Sequence, residues 1–290
     1  MKDKLLPGLL FAICWSTGSV AAKFGIQSAD ALILASLRFI GTGIILSPYF
    51  IYRTKRAFLP PREEWKHVII YGILNTTLTL GAFFAAQKYV TSGVSMLFIA
   101  IAPLLISLLS SILLKRKLSI WEIVGMLVAF AGLVICSMPE INNGKIKLIG
   151  IVYLLIYIIS YAISSVYYSK ARITVQPAVF NIWQVFIGGI VLLPISFLLH
   201  SAQIRFINAT LFISLGWMII ILSFTANLLW LFLIKKDAVA AAAWLYLTPV
   251  FGYLWGFLFL KESIDYNAVA GTVLVIVGLV IAKKTEKART

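Results

Sequence analysis

Arg38 stands inside an apolar stretch, eight residues past Asp30. If that stretch is helix entering a bilayer at Asp30, a rise of ~1.5 Å per residue puts Arg38 about 12 Å deep. A charge at that depth is costly and marks a functional hypothesis. The guanidinium fork suits a carboxylate or a phosphate. The competing role is framework: bonding backbone carbonyls, or pairing with Asp30. Lys23 and Lys88 lie near the ends of apolar stretches. They either snorkel to the headgroups or join Arg38 in a positive funnel for an anion.

Uncharged polar residues form a larger set: Asn75, Thr76, Thr77, Thr79 and Gln87, then Asn181, Gln184, Thr225 and Asn227. Any one of them has an ordinary role in interhelical hydrogen bonding, worth about 0.6 kcal/mol. Aromatics are dense, with 8 Trp, 12 Tyr and 19 Phe, more than interfacial belts alone would use. Trp65, Trp121 and Tyr266 fit such belts. Trp15, Tyr161, Trp183, Trp230, Trp244, Tyr246 and Trp255 fall deeper. Deep aromatics either pack against lipid or wall a cavity that stacks on substrate and offers single hydrogen bonds. Gly252, Gly256 and the alanines from 238 onward make one stretch slim, which serves static packing or a sliding contact equally.

Acids are missing from the middle of every apolar stretch, and His67 and His200 sit at stretch ends. Carriers that couple through buried acids or histidines need them at depth, so facilitated export or exchange is expected. Cys14 and Cys136 show no paired spacing and read as packing residues. No HExxH, GxSxG, Walker or CxxC motif is present, so neither an enzyme nor a metal or cofactor site is expected.

Those residues must be positioned by membrane helices. The chain is 61% hydrophobic and 12% charged, with mean hydropathy +1.00, far from a soluble domain. Ten stretches are long enough to span: 5–25, 31–51, 66–87, 92–114, 118–138, 147–169, 178–199, 211–234, 238–260 and 264–282. The first is too long for the core of a cleavable signal. The net charge of +15 comes from cations at stretch ends rather than on one soluble face, which excludes nucleic acid as partner. On the side of the amino terminus lie 18 Lys and Arg, against 6 on the other. The positive-inside rule then puts both termini in the cytoplasm.

The chain repeats itself at a shift of 146 residues. Pro48 meets Pro194, Pro103 meets Pro249, and Thr79 meets Thr225. Gly125 meets Gly271, and Gly132-Leu133-Val134-Ile135 meets Gly278-Leu279-Val280-Ile281. Arg38 meets Gln184, and Trp15 meets Tyr161. Five spans are an odd number, so the second copy must run inverted. Inverted repeats belong to secondary transporters, with the site between the halves.

The chain resembles the EamA-type transporters of the drug/metabolite transporter superfamily over its whole length. The resembling residues are Trp15-Ser16, Leu37-Arg38-Phe39, Pro103, Gly125 and Gly132-Leu133-Val134, then Pro249, Leu260-Lys261-Glu262, Gly271 and Gly278-Leu279. Arg116 departs from the pattern, where the family carries a Glu that the second copy keeps as Glu262. The resemblance implies a basket of helices, with four from each half lining the cavity and the fifth at the periphery. It also implies export of small metabolites, amino acids or drugs.

The expectation is an all-α integral membrane protein with ten transmembrane helices as two inverted five-helix repeats, residues 1–144 and 147–290. It is a multi-pass protein of the cell (inner) membrane whose partners are the bilayer and a small-molecule substrate, with a homodimer left open. The expected activity is export of small metabolites such as amino acids by alternating access. Alternatives are anion exchange, or a non-transporting sensor or assembly subunit. The substrate site is expected at Trp15, Arg38, Asn75, Thr79, Tyr161, Asn227, Trp244 and Tyr246.

Overall fold

Hydrocarbon offers no water to the backbone, so an apolar chain satisfies its N–H and C=O groups within helices. The computed structural model follows that rule over the residues it describes: 2–54, 58–113, 120–142, 144, 146–171, 173–236 and 238–287. The first helices are α1 (Lys2–Ser16), α2 (Gly18–Gly25), α3 (Ala31–Thr54), α4 (Trp65–Tyr71), α5 (Gly81–Ala86), α6 (Ser92–Leu113) and α7 (Ile120–Asn142). Then come α8 (Leu148–Lys170), α9 (Pro177–Leu198), α10 (Ala209–Trp217), α11 (Asn227–Lys236), α12 (Ala238–Ala242), α13 (Thr248–Leu260) and α14 (Tyr266–Lys287). A π-helical segment, Gly72–Leu80, joins α4 to α5, and another, Met218–Ala226, joins α10 to α11. A 3-10 segment, Ala243–Leu247, joins α12 to α13. The extended pairing among the described residues is one isolated bridge, Ala29 to Ile204.

Seven described helical runs are long and apolar enough to cross a membrane, from Ala31–Arg53 to Ala209–Lys235, and Trp244–Leu260 and Tyr266–Gly278 are shorter apolar helices. The chain is an all-α, multi-pass integral membrane protein. Some expected spans differ in detail. The stretch 5–25 breaks at Thr17, where the Ser16 and Thr17 hydroxyls donate back to Ile13 O (2.8 Å) and Cys14 O (2.7 Å). Such local bonds compete with the helical ladder. The stretch 238–260 opens in α12 and the 3-10 turn before α13. Helix α7, the fifth expected span, runs on to Asn142, past its expected end at 138, and Arg116 and Asp237 lie outside the described residues.

Element boundaries recur at a spacing of 146: Ala31 and Pro177 open α3 and α9, Ser92 and Ala238 open α6 and α12, and Ile120 and Tyr266 open α7 and α14. The two π-helical segments both start and end at that spacing. Packing between the copies is reciprocal. A Cβ placed on Gly132 of α7 would lie 2.6 Å from Gly271 O of α14, and one on Gly278 would lie 2.5 Å from Gly125 O. Likewise, a Cβ on Gly43 of α3 would strike Phe186 of α9 at 2.4 Å, and one on Gly189 would approach Ile40 N at 3.0 Å. When patch i meets patch j of the copy and patch j meets i, the contact is of the two-fold kind. Glycine lets the backbones touch, which is how helices bind tightly where lipid supplies no hydrophobic drive.

Gly132→Ala must therefore push α7 from α14. Thermal unfolding in detergent micelles should show a loss of about 1–3 kcal/mol, the range for overpacking. Gly216→Ala is the control, since nothing lies within 4 Å of its Cβ position, and should leave the midpoint unchanged or raise it slightly, as expected of alanine in a helix.

Candidate functional site

Arg38 is buried on α3, with 3% of its surface exposed. Its Nε donates to Ser223 Oγ at 2.7 Å, in the second π-helical segment. Its Cζ lies 5.0 Å from the Phe39 ring centroid and 5.5 Å from that of Phe84. Pairing with Asp30 does not occur, because Asp30 Oδ1 accepts from Arg205 Nη2 at 2.8 Å. Lys23 also leaves the expected funnel and pairs with Glu262 at 3.5 Å. Gln184, which aligns with Arg38, acts in parallel: its Oε1 accepts from Thr76 Oγ1 of the first π-helical segment at 2.7 Å. Gln184 Nε2 donates to Asn181 Oδ1 (3.0 Å), and Asn181 Nδ2 donates to Ser223 O (2.8 Å). Each copy's second span thus grips the other copy's π-helical segment.

Beside Arg38 lies a cavity of about 20 Å³, also lined by Trp15, Leu80, Phe83 and Tyr157. Trp15 and Tyr161, expected to face each other, sit with ring centroids 6.3 Å apart. Tyr161 stacks on Tyr157 at 5.8 Å and on Trp230 at 5.1 Å. Phe11 closes the circuit, 5.5 Å from Trp15 and 5.1 Å from Trp230. Three helices, α1, α8 and α11, carry aromatics into this region, because one residue per turn points inward.

The polar atoms of this wall are unusual. Within the circuit, Tyr161 Oη and Trp230 Nε1 are buried without a hydrogen-bond partner, while the Tyr157 hydroxyl lies against Trp15. Elsewhere in the bundle the same holds for the hydroxyls of Tyr71, Tyr168, Ser19, Ser92 and Ser137 and for both amide atoms of Asn75 and of Asn227. Native structures carry few such groups, and each costs about 1–3 kcal/mol. Asn75 lies one turn beyond Tyr71 and Asn227 one turn before Trp230, so each pair shares a helix face.

Other expected site residues have different tasks. Thr79 is buried, but its hydroxyl donates to Leu74 O at 2.8 Å, five residues back. Thr225 repeats the bond on Ile220 O at 2.9 Å. Both threonines satisfy the widened π backbone rather than a ligand. Trp244 is half-buried on the 3-10 segment and lies so close over α1 that a Cβ on Gly8 would meet its ring at 1.9 Å. Tyr246 is half-buried on the same segment and packs on the core. Tyr71, Tyr157 and Ser223 escaped the sequence reading. Tyr157 had a signal, since it precedes Tyr161 by one helical turn.

Loops lock the two ends of the bundle. At one end Asp30 N donates to Gln203 O (2.8 Å), Arg205 N donates to Ser28 O (2.8 Å), and Ser28 Oγ donates to Asn208 Oδ1 (3.0 Å). Glu262 there accepts from Ser92 N at 3.1 Å through each oxygen. It caps α6, which gives this residue a structural task. At the other end Glu64 accepts from Thr174 N (2.9 Å), Val175 N (3.1 Å) and Thr174 Oγ1. His67 Nδ1 and Tyr167 Oη lie 2.7 Å apart beside it. Burial pushes the Glu64 carboxyl up, but those bonds and His67 outweigh it and hold it below the usual glutamate value. The locks occupy matching positions: the loop before α3 is held at one end, and the loop before α9 at the other.

A bundle of apolar helices around a buried aromatic and polar interior, held by loops at both ends, is the architecture of a polytopic membrane protein. The chain belongs to the EamA-like transporter family, whose model matches residues 4–138 and again 148–283. An uncharacterized transporter of Archaeoglobus fulgidus is 27% identical over 271 residues, covering 92% of this chain and 94% of its own. The uncharacterized inner membrane transporter YedA of Escherichia coli is 27% identical over 259 residues, 87% of this chain and 83% of its own. A chloroplastic WAT1-related protein of Arabidopsis thaliana is 23% identical over 282 residues, 94% of this chain and 67% of its own. A solved crystal structure shares the fold with TM-score 0.74 at 18% identity, covering 99% of each chain.

Because the folded Glu64 carboxyl is more acidic than in the unfolded chain, its stabilisation is present above the ordinary value of about 4.3 and fades as pH falls through the lower folded value. Thermal melts of the protein and of Glu64→Gln should differ at pH 6, and the difference should shrink progressively as the pH is taken below the ordinary glutamate value. A constant difference would mean that the carboxylate is not the group holding Thr174.

Proposed function

We propose that the chain is a secondary transporter that exports small metabolites, amino acids among them, by alternating access. It crosses the membrane ten times as two inverted halves, residues 1–144 and 147–290, with both termini in the cytoplasm. The recurrence of element boundaries and the reciprocal glycine contacts support that arrangement. The name of the relative YedA supports an inner-membrane location. The Asp30 end then faces outward and the Glu64 end faces the cytoplasm. Releasing one lock while the other holds exposes the interior to one side at a time. The family and the absence of a catalytic motif favour transport over catalysis.

The observation that carries the reading is the group of buried polar atoms without partners around Trp15 and Tyr161. A protein that keeps them has a use for them when something else is bound. The Tyr161 hydroxyl and the Trp230 indole N–H can orient a small molecule, while the ring faces stack on it.

Tyr161→Phe separates this role from packing. Removing a hydroxyl that has no partner should leave stability unchanged or raise it by about 1 kcal/mol, while transport into proteoliposomes falls about fivefold, the equivalent of one lost hydrogen bond of that size. Full transport with a raised melting point would remove Tyr161 from the site. Orientation is checked separately: single cysteines at Leu59 and Gln203 should react with an impermeant maleimide from opposite sides of the membrane.

A further inference from the structure

Arg38 brings a positive charge into the spans that the described residues leave without an opposite. Ser223 gives it one neutral hydrogen bond, and two phenylalanine rings flank it. No carboxylate among the described residues pairs with it. Asp30 is committed to Arg205, Glu262 to Lys23 and the α6 terminus, and Glu64 to Thr174 and Val175. Buried charges in membranes almost always have a counter-charge or a cluster of carbonyls. The cavity beside Arg38, about 20 Å³, has room for one water-sized group. A carboxylate oxygen is such a group. The aromatic wall of Trp15 and Tyr157 borders the same space.

Resting on the site described above, we propose that Arg38 is an anion subsite. The substrate is a small organic acid or zwitterion whose carboxylate docks on Arg38, and the carrier exchanges such molecules faster than it moves them in one direction. The second part follows from the first. In this conformation Arg38 is buried, with 3% of its surface exposed, and both ends of the bundle are locked. A conformation open to either side would let water reach the guanidinium. Every passage between the two open forms goes through a closed one. An empty passage strips water from an unpaired cation, whereas a loaded passage gives that cation a carboxylate. The loaded path has the lower barrier, so a substrate waiting on the far side speeds the return. An organic cation gains nothing from Arg38 and adds a like charge.

Three probes that share one ring test this in proteoliposomes of the whole protein: phenylalanine, 3-phenylpropionate and phenethylamine. Uptake of labelled phenylalanine should be inhibited by 3-phenylpropionate and not by phenethylamine. Vesicles preloaded with phenylalanine should take up label at least roughly tenfold faster than empty ones, reflecting the cost of an unpaired charge at depth. Arg38→Gln, which copies Gln184, should bring that ratio near one and abolish inhibition by 3-phenylpropionate. Arg38→Lys should keep part of both. Ser223→Ala removes the neutral bond but leaves the charge, and should preserve the ratio. An equal collapse in Ser223→Ala and Arg38→Gln would make Arg38 framework and overturn the proposal. If Arg38→Gln does not fold, the inhibition pattern of the unaltered protein and the ratio in Ser223→Ala decide.

Other arms separate the failures. Inhibition by phenethylamine as strong as by 3-phenylpropionate, lost in Trp15→Ala, overturns the anion subsite and leaves the site standing. No inhibition by any probe, with Tyr161→Phe at full activity on a wider metabolite panel, overturns both. Vesicles preloaded with chloride alone that take up label as fast as vesicles preloaded with phenylalanine would assign the subsite to an inorganic anion and overturn the substrate carboxylate.

Discussion

Backbone and side-chain polar groups in a bilayer must find partners inside the protein, because hydrocarbon offers none. Most of this structure obeys. The backbone folds into helices, Thr77 donates to Gly188 O at 2.8 Å, and Trp183 Nε1 donates to Phe58 O at 2.8 Å. Trp217 and Trp255 turn their indole N–H groups onto Thr17 and Ser16, each at 3.0 Å, at the break between α1 and α2. Against that background the exceptions become informative. Some are spread through the bundle, at Ser19, Ser92 and Ser137, but Tyr161 and Trp230 bring theirs into one aromatic circuit, with ring centroids 5.1 Å apart. Polar atoms set among ring faces have the composition of a binding pocket.

The same constraint explains why glycine holds the architecture. Dispersion and close backbone approach replace hydrophobic drive between lipid-facing helices. The α7–α14 and α3–α9 contacts depend on positions where a Cβ would lie within 3 Å of a neighbouring backbone or side-chain atom. These are the positions that recur at 146 residues. Repetition in sequence and reciprocity in space therefore have one cause: both copies need the same small surface to reach each other.

Hydropathy made the helical class and most span boundaries readable from the sequence, because spanning length and apolarity are one-dimensional properties. Trp15 and Tyr161 could be paired because the repeat register aligned them. The breaks were not readable. A π-helical turn differs from an α-helical one by a bonding shift of one residue and leaves the apolar pattern almost intact. Nor could the sequence distinguish Thr79 from Asn75, since whether a polar side chain bonds its own backbone or stands free depends on the local turn. The pairing of Asp30 with Arg205 spans 175 residues, and distances of that kind have no local signature. Glu64 was passed over for the same reason, since its partners at Thr174 and Val175 lie in the other copy.

Arg38 and Gln184 tie the two locks to the interior. Each projects from the second span of one copy and bonds the π-helical segment of the other, Arg38 on Ser223 and Gln184 on Thr76. Those segments also carry Asn75 and end against Asn227, whose amide atoms are without partners. π-Helical turns sit at functional sites because their bonding is less favourable than that of an α-helix and is more easily rearranged. The arrangement places a deformable turn, a cross-copy grip and part of the pocket on the same residues in each half. Movement of α3 relative to α9 then has to disturb both grips. The two are not equivalent, for one is a charge and the other an amide. Since the neutral grip loses only a hydrogen bond when α9 shifts, and the charged grip must also keep its cation compensated, the step that moves Arg38 is the one most sensitive to what is bound.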